Sequence, residues 1–202
     1  MNTFARLPFA FCTAALAALA VLPSAALLDN DQVKVSRALE KAHVKGGFHE
    51  HKTNRVMIYL QPGRQRFEYK DGRQPAVFDW KTGQIVWSKA EGMHAPEVVS
   101  DEPFNIVEVE LKKPGTDKML GAPPKHCKVE IDNNQVRVLR LKLGARESTP
   151  AMAHTVNTVE VFLTDTDAHK AGDAVWIPAG TSTEEKAGAT PLEVVLIEVK
   201  AE

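Results

Sequence analysis

The chain has 202 residues, 44% of them hydrophobic, with 25 basic against 26 acidic side chains and a formal net charge of −1. That length allows one or two compact domains, and the hydrophobic share supports a packed core. The near-neutral balance lacks the basic excess that nucleic-acid binding draws on, so no nucleic-acid partner is expected.

Residues 1–26 stand apart. Arg6 precedes the apolar run LPFAFCTAALAALAVLPSAA, which ends in the small residues Ser24, Ala25 and Ala26. A basic start, an apolar middle and a small-residue cleavage site read as a secretory signal peptide. Pro8 and Pro23 bracket a span shorter than the ~20 residues a bilayer-crossing helix needs. Cleavage, a secreted or periplasmic location in a bacterium and no later membrane contact are therefore expected. Cys12 leaves with that segment and Cys127 remains. A lone cysteine cannot form an internal disulfide, so stability must come from packing.

From Asp29 onwards the chain reads as short strands rich in Val, Ile and aromatic residues. VKVSRALEKAHV, NRVMIYL, QRFEY, PAVFDW, QIVWS and NIVEVELK come first; VRVLRLKL, TVEVFLTD, DAVWIP and EVVLIEV follow. SRALEKAH (36–43) has the spacing of a helical turn or two, but its later counterpart VLRLKL reads as strand. The chain matches itself: DNDQVKV from Asp29 returns as DNNQVRV from Asp132, 103 residues on, and HKTNRVMIYL from His51 returns as HTVNTVEVFL from His154. GQIVW from Gly83 returns as GDAVW from Gly172. Two repeated units are expected, 27–111 and 127–202, joined by the Pro- and Gly-rich linker 112–126. The first has 23 steps from Leu60 to Gly83, the second 9 from Leu163 to Gly172. The extra stretch, RQRFEY–KDG–RQPAVFDW, carries a hairpin signal around Asp71–Gly72. The expected architecture is all-β, two barrels or sandwiches in tandem, the second lacking one hairpin and left with an edge that needs covering.

His49 and His51 lie two residues apart ahead of a strand, so they face the same side. Two imidazoles on one face make a candidate start for a metal site, of a kind that suits Fe, Zn, Mn or Ni and leaves positions open for further ligands, water or substrate. Arg55 shares their parity. A guanidinium about 5 Å from a dication costs roughly 7 kcal/mol at an effective dielectric of about 20. Three outcomes follow: Arg55 turns away, an anion sits between it and the metal, or no metal binds. Met57 and Tyr59 continue the same face. Trp87 and Trp176 occupy equivalent repeat positions, as do Asn54 and Asn157, which points to structural roles. Glu68 and Glu97 are carboxylates that nothing in the sequence ties to a ligand role, while His43, His126 and His169 read as solvated or turn residues.

The spacing resembles the cupin family. A glycine, a His-x-His pair and a later glycine opening a strand towards a third histidine correspond to Gly46 or Gly47, His49 with His51, Gly83 and His94. The second unit keeps Gly172 and the turn Ile177–Gly180. The likeness covers nearly all of residues 30–202. It implies two tandem cupin-type β-barrel or jelly-roll units, with a divalent metal on His49, His51 and His94. It also implies oxygenase, isomerase or hydrolase chemistry on a small anionic molecule held by Arg55 and Tyr59. The alternative is a non-catalytic ligand-binding or structural protein with a vestigial pocket; a homo-oligomer is compatible with either. The sequence departs from the family pattern where its glutamate would stand, at Arg55 and Val56. In the second unit Met152 replaces the first histidine and Ser182 or Thr183 the third, leaving His154. No residue is identified as a catalytic acid or base.

Overall fold

A computed structural model describes residues 25–201. The expected signal segment lies outside them, apart from Ala25 and Ala26, which open the first strand. All regular structure is β. The first unit runs β1 (Ala25–Asp29), β2 (Val33–Glu40), β3 (His49–His51), β4 (Arg55–Tyr59), β5 (Gly63–Tyr69), β6 (Ala76–Trp80), β7 (Gln84–Ser88), β8 (Glu91–Val98) and β9 (Phe104–Leu111). The second runs β10 (Cys127–Asp132), β11 (Val136–Leu143), β12 (Met152–Ala153), β13 (Thr158–Phe162), β14 (Ala174–Ile177), β15 (Ser182–Thr183) and β16 (Leu192–Val199). SRALEKAH is strand down to Glu40, and its helical spacing has no effect: Val33, Val35 and Ser36 are buried in the ladder with β9.

Each unit is a sandwich. In the first, a five-stranded sheet (β1-β2-β9-β4-β7) packs on a four-stranded one (β3-β8-β5-β6); in the second, a five-stranded sheet (β10-β11-β16-β13-β14) packs on a two-stranded one (β12-β15). The hairpin expected around Asp71–Gly72 is β5–β6, with Gly63 opposite Trp80 and Phe67 opposite Ala76. The second unit has no strand between Phe162 and Ala174, so the missing hairpin is real.

The two five-stranded sheets pack face to face. Their shared core joins Val33, Val35, Val56, Ile58, Val107 and Val109 to Val136, Val138, Val159, Val161, Val195 and Ile197, all fully buried. Burying such a side chain stabilises by about 1.5–3 kcal/mol. All five residues of β4 are buried, because it has no solvent face. Val56 and Ile58 enter the shared core, and the alternation aims Arg55, Met57 and Tyr59 into the interior of the first unit. β13 repeats the plan, with Val159 and Val161 in the shared core.

Side-chain hydrogen bonds clasp the units reciprocally. Asn54 Nδ2 donates to Gln135 Oε1, and Asn157 Nδ2 donates to Gln32 Oε1 at 2.9 Å. The Oδ1 of each asparagine accepts from the backbone, Ala90 N for Asn54 (2.7 Å) and Ala179 N for Asn157 (2.8 Å). The repeated asparagines are thus structural, as expected. Trp87 and Trp176 likewise pack against the shared core. Segment 112–126 carries no strand and lies along the second unit, where Thr116 N donates to Lys200 O and Gly121 O accepts from Arg137.

Candidate metal centre

Strand β3 is short and antiparallel to β8, with His49 opposite His94. That register brings together histidines far apart in sequence. Ring centroids lie 4.8 Å apart for His49–His51, 4.8 Å for His49–His94 and 5.3 Å for His51–His94. One nitrogen from each ring falls within 4.8 Å of the others.

Hydrogen bonds orient these rings. His49 Nδ1 is 2.9 Å from Gly47 O, and His94 Nδ1 is 3.3 Å from Gly92 O. A carbonyl only accepts, so each Nδ1 carries the proton and each Nε2 keeps its lone pair. His51 Nε2 accepts from Arg55 Nη1 at 2.9 Å, so it too is unprotonated. Yet His49 Nε2 and His51 Nε2 face each other at 3.0 Å. Two lone pairs converging at that separation have no hydrogen between them. It is the spacing of two imidazoles on one metal with Zn–N-type bonds of about 2.0–2.1 Å. Burial, then the charge of Arg55 and the neighbouring imidazoles, hold the His51 pKa down to about 3, so the ring stays neutral and a metal has only the Arg55 hydrogen bond to displace from that nitrogen. The donor set fits a divalent metal.

Of the outcomes left open for Arg55, the structure shows it facing the cavity, and it is 3% exposed. Its Nη1 donates to Glu108 Oε2 at 3.1 Å and its Nη2 to Ser88 Oγ at 3.0 Å. Its Nε is buried without a partner among the described residues. Glu108 balances the guanidinium, which removes most of the repulsion a metal would otherwise meet. Arg55 thus occupies the edge of the imidazole cluster and touches one of its three rings.

The cluster opens on a cavity of about 320 Å³. Glu40, Gln65, Ser88 and Glu108 line it together with the histidines, and Gln65 Oε1 accepts from Trp80 Nε1 at 3.1 Å. Aromatic rings form much of the remaining wall. Trp80 stacks between Tyr59 (4.4 Å) and Phe78 (5.3 Å), and Phe67 meets His94 edge-on at 5.6 Å. Met57 and Tyr59 both line it. Burial raises the Tyr59 hydroxyl above the usual range. Burial also lifts Glu40 to about 7, against the opposing hydrogen bond from Gln65.

Other candidates are placed elsewhere. Glu68 pairs with Lys45 (2.6 Å) and Arg66 (3.6 Å), and Glu97 with Arg66 (3.8 Å), so neither joins the imidazoles. His43 pairs with Asp101 at 3.0 Å, and His126 has φ 70° in a turn. His169 closes a tight loop, with Thr166 N donating to His169 O at 2.8 Å, and its ring stacks on Phe162 at 4.2 Å. In the second unit Met152 stands opposite Thr183, the register that His49 and His94 hold in the first. His154 Nε2 is hydrogen-bonded to Thr183 Oγ1 at 2.9 Å and Nδ1 to Thr158 Oγ1 at 3.4 Å. Its environment is therefore satisfied without a metal. Glu40, Gln65, Ser88 and Glu108 went unnoticed in the sequence. Glu108 and Glu110 both stand in the run NIVEVELK, and nothing in that run marks which of the two meets Arg55.

No protein-family model matches the sequence, and no curated protein is significantly similar to it. Solved structures do match in fold. AerE from Microcystis aeruginosa aligns with TM-score 0.61 and 12% identity, over 87% of this chain and 96% of its own. A single-residue variant of Bacillus subtilis oxalate decarboxylase aligns with TM-score 0.59 and 12% identity, over 85% of this chain and 70% of its own. The oxalate decarboxylase of B. subtilis is described as having Mn(II) centres. A cupin domain from Bordetella pertussis shares 24% identity over 44% of this chain and 91% of its own, with TM-score 0.41. The chain is an all-β protein of two tandem cupin-type jelly-roll units, the second one hairpin short.

Proposed function

We propose that the first unit binds a divalent metal on His49, His51 and His94 and takes a small carboxylate against that site and Arg55. The converging Nε2 lone pairs of His49 and His51, 3.0 Å apart, carry this reading. When bound, such a metal supplies Lewis acidity and open coordination positions for oxygenase, isomerase or hydrolase chemistry. Iron, zinc, manganese and nickel all suit the donor set; the Mn(II) centres of a protein sharing the fold support manganese among them.

The chain's own groups divide the remaining work. Gly47 O and Gly92 O hold the rings in the ligating tautomer. His51 Nε2 has one lone pair, so ligation there releases Arg55 Nη1. That single Nη1 N–H is then free to donate to one oxygen of a ligand carboxylate. Glu108 and Ser88 keep the guanidinium in place. The aromatic wall of Tyr59, Phe78 and Trp80 covers the ligand's apolar body and keeps water out. Glu40, with a pKa of about 7, is the carboxyl in this cavity suited to hold or give a proton near neutrality. The apolar leader at residues 1–26 supports export, which puts this chemistry in the periplasm or outside the cell.

The test is elemental analysis of tag-free protein, followed by calorimetric titration with phenylacetate. About one equivalent of metal per chain is expected, lost in the His49→Ala/His94→Ala variant. Arg55→Met should keep the metal and bind phenylacetate at least tenfold more weakly. The Arg55–His51 hydrogen bond favours a second reading, a metal-free binding protein. Metal-free protein that still binds phenylacetate would establish that reading and overturn the first.

A further inference from the structure

We infer that the second unit carries a separate site for an organic ammonium ion, built on the buried carboxylates Glu160 and Glu185. The site has no counterpart in the His49 cluster and does not depend on it. Glu160 lies on β13 where the repeat places Met57 on β4, and it is 5% exposed. Its Oε1 is buried without a hydrogen-bond partner among the described residues. Glu185 follows β15, its backbone fixed by two 2.9 Å hydrogen bonds to Thr149, Thr149 N to Glu185 O and Glu185 N to Thr149 Oγ1. Both carboxylates line one cavity of about 750 Å³.

The missing hairpin makes this space. In the first unit β5 and β6 extend the smaller sheet over the interior; in the second that sheet is only β12-β15, and the loop after Phe162 borders the opening instead. Burial and the facing carboxyl raise Glu160 to about 8, and burial raises Glu185. The pair therefore shares a proton near neutrality, the behaviour of two facing acids with no lysine or arginine paired to them among the described residues. His169 and Thr183 face Glu185 and stabilise its ionised form.

The ligand class follows from the walls. Of the carboxylates lining the cavity, Asp165 is already matched by Lys170 at 3.0 Å. Glu160, Glu185 and the rim residues Asp167 and Glu184 remain, against Lys186 alone among the lining lysines and arginines. A bare metal ion is a poor match. Among the described residues the only converging trio of ligand side chains is the histidine cluster, so the acid pair lacks a third arm. The cavity is also many times the roughly 30 Å³ that one water occupies. Phe162 and His169, stacked at 4.2 Å, give a flat apolar face for an alkyl stem. An ammonium takes the shared proton's place at the acid pair, and a second cationic group meets Asp167 and Glu184. The class is an alkyl diamine.

Isothermal titration of the intact chain with putrescine near pH 7 tests this. Saturable binding to one site is expected, with proton release seen as a dependence of the heat on buffer ionisation enthalpy. Glu160→Gln and Glu185→Gln should each weaken binding at least tenfold, while His49→Ala leaves it unchanged. Glu160→Gln should melt no lower than the parent chain at pH 8, which separates lost binding from lost folding. Absence of putrescine binding, undiminished binding in both variants, or calcium chloride binding where putrescine does not would each overturn the proposal.

Discussion

At position 55 a guanidinium stands at the start of β4, buried and held by Glu108, Ser88 and His51. Removing it leaves Glu108 in the interior with its charge unmatched, which costs about 3–5 kcal/mol. Arg55→Met should therefore lower stability by roughly 3 kcal/mol in urea unfolding, and Arg55→Met/Glu108→Leu should recover most of that loss. Glu40 gives a pH signature. Its folded pKa of about 7 lies above the ordinary value of 4.5, so the folded state holds the proton more tightly. The stability linked to that proton is complete below about pH 4.5 and is lost as the pH rises through about 7, a change on the order of 3 kcal/mol. Glu160 acts in the same direction. Below about pH 6.5 the lowered His51 works the other way, so thermal midpoints should fall from pH 6.5 to pH 8.5, and Glu40→Gln should flatten that slope; a midpoint that rises with pH across this range would contradict it. Parity offered an inward Arg55 only for an unbulged run and left the outward orientation open; β3 has a register irregularity between His49 and His51 and belongs to a different sheet from β4, so the pairing of β4 itself decides where Arg55 points. Its partner Glu108 was out of sight, since pairing β4 with β9 is a matter of register that local pattern does not encode.

β4 and β13 are the elements on which both interiors depend. Each has one face in the shared valine core and the other in its own unit, so neither can slip by one residue without exchanging apolar and polar faces. Ile58→Ala removes a fully buried side chain from that core and should cost about 2–5 kcal/mol by denaturant unfolding. The turn before β14 is equally constrained. Gly172 has φ +92°, and a Cβ there would meet Leu60 Cδ1 at 2.6 Å. Gly172→Ala should destabilise by roughly 1–3 kcal/mol from backbone strain alone, read as a lower thermal midpoint. The hairpin and its absence were legible in chain length between matched glycines. The acid pair was not, because a glutamate within a strand reads as solvent-facing until both faces of that strand are known to be covered.

The whole molecule is organised around the two large sheets. A core shared by both and the Asn54–Gln135 and Asn157–Gln32 clasps leave neither unit able to melt with the other intact. A single calorimetric transition is expected, with van't Hoff and calorimetric enthalpies equal; two resolved transitions would show that the units fold separately. Repeat spacing announced two units, but nothing in it said which faces meet. Alternating valines look alike whether they cover a unit's own interior or its neighbour's. The clasps carry a geometric corollary. Since the large sheets stand back to back, both of them and their shared valine layer stand between the histidine cavity and the acidic cavity. A molecule held in one cannot touch a molecule held in the other.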